Sequence, residues 1–150
     1  MLKGVDPILG PDLLAALRAM GHGDELVIAD ANFPAASIAR RVCRGDGVDA
    51  VRMLEAVASL MPLDDFGPVA AWRMAAVSPQ DEPPAIVAAF AAALGRAGYG
   101  GPIEPIERQA FYERARGAFV VVATGEARLY GNIILRKGVI RPDGEAGRAD

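Results

Sequence analysis

The chain has 150 residues, and its 19 acidic against 16 basic side chains give a formal net charge of -3, which argues against a nucleic-acid partner. A chain of this size can bury a core without cross-links, and one cysteine and one histidine can form neither an internal disulfide nor a four-ligand zinc site. The start, MLKGVDPILG, lacks a signal-peptide core and no apolar run is long enough to span a membrane, so we expect a cytoplasmic protein without a membrane partner.

The first half of the chain predicts helices separated by apolar strands. A short helix begins near Pro11, since proline suits the first helical position, and ends at Gly21. Residues 25–30 form an apolar run between two charges, too short for a helix, and predict a strand buried on both faces. Residues 49–60 carry apolar side chains at helical spacing, and residues 69–77 predict a second strand.

The second half continues this alternation after a proline-rich break. Apolar residues recur every three to four positions from Ile86 to Leu94 and predict a third helix. A short strand (103–106), one or two helical turns (109–116), a β-branched strand (118–124) and a last strand (132–136) follow. The pattern predicts one layered α/β domain over residues 1–140, with a mixed or mostly parallel central sheet flanked by helices, and a solvated tail over residues 141–150.

The chain lacks the sequence signatures of common nucleotide-binding and hydrolytic sites. It contains no G-x-x-x-x-G-K-[ST], H-E-x-x-H or G-x-S-x-G motif. The glycines at positions 21 and 23 precede a strand, whereas a dinucleotide fingerprint follows one. We therefore exclude these nucleotide-binding and hydrolytic sites.

Two polar residues flank the first buried strand and are candidates for chemistry. His22, the only histidine, stands between two glycines and is either a structural or exposed side chain or an acid/base group. Asp30 comes at the carboxyl end of the strand, where open α/β sheets bind ligands. It could equally be a helix cap or a turn residue before Pro34.

Two long segments carry a resemblance to a known family. GHGDELVIADANFP (21–34) and RQAFYERARGAFVVVATGEARLYGNIILRKGV (108–139) closely resemble the L-fucose mutarotase and D-ribose pyranase family, and the likeness runs from Leu2 to about Val139. The FYERA stretch and the YGNI ending are similar to the fucose branch. The ribose branch typically has a histidine at the place of Arg108 and an alanine at Gly131. The chain departs from the family at Asn32, around residues 72–73 and in its extra tail.

The resemblance implies an α/β fold in a ring-like homo-oligomer, with monosaccharide sites near subunit boundaries and no metal or organic cofactor. It implies that His22 and Asp30 are catalytic. The sugar-binding residues that it implies are Asp30, Arg108, Tyr130, Gly131 and Asn132. The implied reaction interconverts the α and β anomers of L-fucose by ring opening and reclosure, which needs only proton transfers that an imidazole can perform.

Two other functions stay open at this point. The first is a D-ribose pyranase, which interconverts pyranose and furanose forms through the same ring opening; the second is a sugar-binding protein without catalysis. Without the resemblance, the sequence predicts that Arg108 is a solvated cation and that residues 130–132 form a turn before a strand. Trp72 and Tyr112 are expected to pack in the core, and we leave them outside the site.

Overall fold

A six-stranded mixed sheet forms the centre of the computed structural model, which describes residues 1–142. The helices are α1 (Pro11–Ala19), α2 (Ala35–Ile38), α3 (Ala50–Ala58), α4 (Ile86–Arg96) and α5 (Arg108–Gly117). The strands are β1 (Glu25–Ala29), β2 (Val42–Gly45), β3 (Ala71–Met74), β4 (Ile103–Ile106), β5 (Val120–Thr124) and β6 (Ile133–Arg136). Their order in the sheet is β2-β5-β1-β6-β3-β4, with β6 antiparallel to both neighbours and the other pairs parallel.

Helices cover both faces of the sheet, with α1, α3 and α4 on one face and α2 and α5 on the other. Strand β1 shows why the sequence requires this. Leu26 and Ile28 pack into one apolar cluster, Val27 and Ala29 into the other, and none of the four has any exposed surface. Because successive side chains of a strand point to opposite faces, a continuous apolar run is stable only where both faces are covered.

The structure confirms the predicted α/β fold with a mixed sheet. Strand β4 coincides with the predicted residues 103–106, whereas the strand predicted over residues 69–77 is shortened to β3. The sequence missed α2, which is a single turn, and β2, which is an edge strand with the exposed Arg44 in its middle. Neither carries enough periodic apolar residues to produce a sequence signal.

The predicted tail falls mostly outside the described residues, which end at position 142. Its first residue, Arg141, is described and forms an ion pair with Asp65, with Nη1 and Oδ2 2.7 Å apart. Within residues 1–142 no helix is long and apolar enough to cross a membrane, and the longest, α4, has 11 residues.

The ends of the strands form two opposite edges of the sheet, which we name by the direction of the strands. The five strands that run in the same direction all end at one edge, which we call the carboxyl edge; it contains the residues after Ala29 of β1. The opposite edge, where β1 begins at Glu25, is the amino edge. Because β6 is antiparallel to its neighbours, it starts at the carboxyl edge and ends at the amino edge.

A buried glutamate organises the carboxyl edge. Glu126, which follows β5, is only 3% exposed. Its carboxylate accepts hydrogen bonds from the main-chain nitrogen of Ala50 at the start of α3 (3.2 Å) and from Nε and Nη2 of Arg128 (both 2.8 Å). Its main-chain oxygen accepts from the nitrogen of Ala31, just after β1 (2.9 Å). The Arg128 guanidinium lowers the pKa of Glu126 from 4.5 to about 2.

We expect Glu126→Gln to destabilise the protein in a pH-dependent way. A carboxyl group whose pKa is lowered by folding contributes stability above its unfolded pKa, near 4.5, and loses that contribution as pH falls towards about 2. The substitution should lower the free energy of unfolding by on the order of 3 kcal/mol at pH 7, and the difference from wild type should shrink by pH 3. Urea denaturation at the two pH values measures both quantities.

Glu55→Gln is the matched control, because Glu55 pairs with Arg96 on the exposed surface between α3 and α4. An exposed ion pair contributes little to stability, so this variant should unfold like wild type at both pH values. Equal destabilisation by Glu126→Gln at pH 7 and pH 3 would contradict a role for the ionised carboxylate.

Candidate functional site

Asp30 and Asn132 form a buried pair at the carboxyl edge. Asp30 follows β1 and Asn132 precedes β6, and because these strands are antiparallel neighbours the two residues lie side by side. The Asn132 side chain accepts from the main-chain nitrogen of Asp30 (2.8 Å) and donates from Nδ2 to Asp30 Oδ2 (2.7 Å). The other carboxylate oxygen accepts from the main-chain nitrogen of Asn32 (2.9 Å). The pair thus holds the carboxyl group of Asp30 in one orientation.

The environment of Asp30 changes its acidity. The residue is 7% exposed, and burial raises the pKa of its carboxyl group above the usual range. Hydrogen bonds from the main chain of Asn32 and the side chain of Asn132 act in the opposite direction, since they favour the ionised form. The residue also lines a cleft of about 300 Å³.

The two residues before Asn132, Tyr130 and Gly131, form a tight turn with little free space. Tyr130 has a φ of 60°, in the left-handed region that residues other than glycine seldom occupy. A Cβ atom at Gly131 would lie 2.6 Å from Cγ of Glu126 and 3.4 Å from Cβ of Asp30, so only glycine fits there. The tight turn brings the Tyr130 hydroxyl to 3.3 Å from the main-chain nitrogen of Val77, which donates to it.

Arg108 lies at the same edge of the sheet but far from this pair. It is the first residue of α5, directly after the edge strand β4, and its side chain is exposed. Strand β4 is three strand positions from β1 in the sheet order, which corresponds to about 14 Å. Within one chain, the structure therefore does not bring Arg108 against Asp30.

His22 lies at the opposite, amino edge, in the turn that leads into β1. Gly23 has a φ of +85°, and Asp24 accepts from the main-chain nitrogen of Gly21 (2.7 Å), so the two glycines form a tight turn. The main-chain nitrogen of Gly23 donates to the oxygen of Lys137, which follows β6 (2.9 Å). These contacts fix the backbone of His22 while its side chain remains 46% exposed.

A carboxylate that the sequence analysis missed contacts this histidine. Asp64 is 7% exposed, and its Oδ1 lies 3.0 Å from Nε2 of His22. The Phe66 ring lies beside the imidazole, with centroids 5.0 Å apart. An ionised carboxylate only accepts hydrogen bonds, so the contact places the proton of the imidazole on Nε2 and leaves Nδ1 as an acceptor.

A sequence signal for Asp64 existed, although it was weak. The residue lies in the loop before β3, and parallel strands begin at the same edge of a sheet, so a carboxylate in that loop has access to the His22 turn. The loop also pairs with the end of β6, where Leu63 bridges to Lys137. The carboxylate that contacts the imidazole of His22 is therefore that of Asp64, whereas the resemblance named Asp30 as the catalytic partner of His22.

One chain therefore brings together only part of the predicted site. Asp30, Tyr130, Gly131 and Asn132 are close together at the carboxyl edge, whereas His22 lies at the amino edge. The five residues of β1 that separate the two edges span about 17 Å, which is too far for a side chain to cross.

Of the two aromatic residues left outside the site, Trp72 is buried in the core as expected, whereas Tyr112 is only partly buried. Trp72 is 6% exposed, and the guanidinium carbon of Arg114 lies 3.6 Å from the centroid of its ring. Tyr112 packs against Phe33, with ring centroids 5.4 Å apart. Both contacts belong to the apolar cluster on the α2 and α5 face of the sheet.

Known proteins resemble this chain over nearly its whole length. The model of the RbsD / FucU transport protein family matches residues 3–140. The fucose mutarotase of Bos taurus is 48% identical over 149 residues, covering 95% of this chain and 96% of that protein.

Crystal structures show the same fold. The fucose mutarotase from Streptococcus pneumoniae, in complex with L-fucose, superposes with a TM-score of 0.89 at 42% identity, covering 93% of this chain and 100% of that one. Bacillus subtilis RbsD complexed with D-ribose has a TM-score of 0.69 at 22% identity, over 94% of this chain and 100% of that one, and this likeness concerns the fold alone. The match to the family model and the identity to these relatives show that the chain belongs to the RbsD / FucU transport protein family.

Proposed function

We propose that this protein is a fucose mutarotase, an isomerase that interconverts the α and β anomers of L-fucose. The observation that carries the proposal is the contact between His22 and the buried Asp64, because it gives a half-exposed imidazole a fixed tautomer. The close relatives and the L-fucose complex of a structural neighbour support this substrate. The neighbour that binds D-ribose shares only the fold, so a ribose pyranase has less support.

The reaction requires proton transfers and no change in oxidation state. A proton leaves the anomeric hydroxyl and one is delivered to the ring oxygen, which breaks the bond between the anomeric carbon and that oxygen; reclosure on the other face of the carbonyl gives the other anomer. In our proposal, Nδ1 of His22 accepts the first proton and the imidazolium returns a proton to the ring oxygen. Asp64 stabilises the imidazolium, since it accepts from Nε2. Acid–base groups of this kind typically accelerate a reaction by about 10²- to 10⁴-fold.

The carboxyl edge holds the sugar in this proposal. The carboxylate oxygens of Asp30 keep lone pairs for sugar hydroxyls after accepting from Asn32 and Asn132. The Tyr130 hydroxyl accepts from the Val77 nitrogen and so retains its own proton for donation to a sugar oxygen. Although β4 lies about 14 Å from β1, the proposal has the exposed side chain of Arg108 extend along the same edge and donate to sugar oxygens remote from Asp30.

A complete site requires two copies of the chain, because the proton-transfer pair and the sugar-binding residues lie at opposite edges. We propose that the amino edge of one subunit packs against the carboxyl edge of the next. Large apolar side chains are exposed at both edges, Phe66 beside His22 and Val77 and Leu129 beside Tyr130. Such a head-to-tail contact uses two different surfaces and generates a ring when its rotation closes.

The proposal includes a cytoplasmic location. Cys43 is a free, buried thiol, which suits a reducing compartment.

We expect His22→Gln to remove most of the anomer exchange, by about 10²- to 10⁴-fold, because the amide cannot accept and return a proton. Asp64→Asn should reduce exchange less, since the imidazole remains but loses the acceptor that fixes its tautomer. NMR saturation transfer between the anomeric protons of L-fucose measures both rates, and circular dichroism checks that the variants fold. Exchange near the wild-type rate in a folded His22→Gln protein would remove the histidine from the mechanism.

Mixing two inactive variants tests the shared site. His22→Ala and Asp30→Ala should each be inactive alone, whereas subunits mixed at a 1:1 ratio should regain about a quarter of the wild-type exchange, since about one interface in four combines an intact His22 with an intact Asp30. Each variant mixed with itself is the control. A failure to recover activity after complete subunit exchange, or a monomeric mass of the wild-type protein at ~10 μM by light scattering, would contradict the shared site.

Arg108→Ala should weaken L-fucose exchange by roughly ten- to a hundredfold, the effect of losing a hydrogen bond to a charged donor, and reduce D-ribose exchange less. Arg108→His should shift the ratio of the two rates towards ribose. Arg116→Ala is the control, since Arg116 is an exposed arginine on the same helix, α5. An equal loss for both sugars would show that Arg108 does not set selectivity.

A further inference from the structure

A half-buried ion pair links β3 to the loop that follows it, near the Tyr130 turn. The guanidinium of Arg73 pairs with the carboxylate of Glu82, and the arginine side chain is only 8% exposed. Its Nη1 atom has no hydrogen-bond partner among the described residues. Arg73 lies opposite Ile133 of β6 in the sheet. Ala71, two residues earlier on β3, packs into the apolar cluster on the α1, α3 and α4 face, so the alternation of side chains along the strand places Arg73 on that face.

Such a pair is not explained by stability alone. Burying the guanidinium of Arg73 costs free energy, solvent weakens its attraction to the partly exposed Glu82, and well-packed apolar residues of similar size often stabilise a protein as much or more. The cost is higher here because one nitrogen of the arginine stays unsatisfied.

The contacts of Glu82 lead directly to the tyrosine hydroxyl. Its Oε2 accepts from the main-chain nitrogen of Ala76 at 2.9 Å, while the other oxygen accepts from Arg73. The next main-chain nitrogen, that of Val77, is the one that donates to the hydroxyl of Tyr130 at 3.3 Å. The carboxylate of Glu82 thus fixes the amide of Ala76, and the adjacent amide, that of Val77, contacts Tyr130.

We propose that the Arg73–Glu82 pair is a positioning clamp that holds the Val77 amide against the Tyr130 hydroxyl and thereby aims the proton of that hydroxyl at a sugar oxygen. This inference rests on the proposed function, because it takes Tyr130 as a sugar-binding residue. Neither charged residue contacts the sugar itself, and both act through Val77.

The chemistry of a hydroxyl group explains the effect. A tyrosine hydroxyl has one proton and can accept at its oxygen; when an amide occupies the acceptor position, the proton is directed elsewhere. Tyr130 borders a cleft of about 450 Å³, and its exposed neighbours Val77 and Leu129 belong to the surface that we propose packs against the next subunit. In the proposal, the sugar lies between this cleft and the Asp30 side chain, and the hydroxyl proton of Tyr130 is donated to it. The guanidinium of Arg73 holds the pKa of Glu82 below its usual range, so the clamp keeps its ionised acceptor at neutral pH.

A double-mutant cycle tests the clamp. Replacing Glu82 alone would leave a buried arginine without its carboxylate, so the clamp variant is Arg73→Met with Glu82→Leu, which removes both charges and keeps apolar volume. L-fucose exchange should fall roughly three- to tenfold in this variant, the effect of one neutral hydrogen bond. In a Tyr130→Phe background the same replacement should change the rate by less than about twofold, because the hydroxyl that it positions is gone.

The control applies the same two substitutions to an exposed pair, Arg96→Met with Glu55→Leu between α3 and α4. It should leave exchange unchanged in both backgrounds. Equal losses from the clamp variant with and without the tyrosine hydroxyl, or no loss in either, would overturn the clamp. A wild-type protein that does not exchange L-fucose at all would instead contradict the proposed function.

A measurement that does not depend on sugar exchange tests the clamp even if the protein does not act on L-fucose. The amide proton of Val77, observed by NMR in protein labelled with ¹⁵N-valine, should shift in Tyr130→Phe and shift in the same direction in the clamp variant, because both lose the same hydrogen bond. It should keep its position in the Arg96→Met with Glu55→Leu control. An unmoved Val77 signal in the clamp variant would overturn the inference whether or not the protein acts on sugar.

Discussion

The carboxyl edge of the sheet depends on the buried carboxylate of Glu126. An ionised group with 3% exposure is stable only if its oxygens are fully hydrogen-bonded, and these bonds come from the start of α3 and from Arg128. Its main chain also holds the segment after β1, and its side chain packs so closely at Gly131 that no Cβ fits there. Glu126, which follows β5, thus contacts the segment after β1, the start of α3 and the turn before β6, and so supports the edge at which the antiparallel pairing of β1 and β6 brings Asp30 and Asn132 together.

The mixed character of the sheet has a direct functional consequence. If β6 ran parallel to β1, Asn132 would begin it at the amino edge; because it is antiparallel, Asn132 starts at the carboxyl edge beside Asp30. The same reversal takes the end of β6 to the amino edge, where Lys137 holds the turn of His22. The residues that we propose for proton transfer and those that we propose for sugar binding therefore lie at opposite edges, and the length of β1 keeps them apart within one chain. In the proposal, two identical subunits combine them.

Buried polar groups are concentrated where the proposed chemistry takes place. Asp64 next to His22, Asp30 with Asn132, and Arg73 beside the partly exposed Glu82 are buried polar residues, and each carries a desolvation cost that an apolar residue would avoid. Each of them fixes the direction of a neighbouring group: an imidazole tautomer, a carboxylate, or a main-chain amide. Between the edges, the middle residues of β1 and β5, 26–29 and 120–123, are apolar and buried.

The sequence by itself determined the α/β class, the buried strand β1 and the candidates His22 and Asp30, because apolar periodicity and glycine positions are local signals. The motifs around Tyr130 identified the family, which local physics alone could not. The edge strand β2 and the single turn α2 were missed because neither buries a periodic apolar face. Only the tertiary structure decided that Asp64, 42 residues from His22, is its partner, and that His22 and Asp30 lie at opposite edges. Strand order and direction fix such long-range contacts, and no local pattern of residues encodes them.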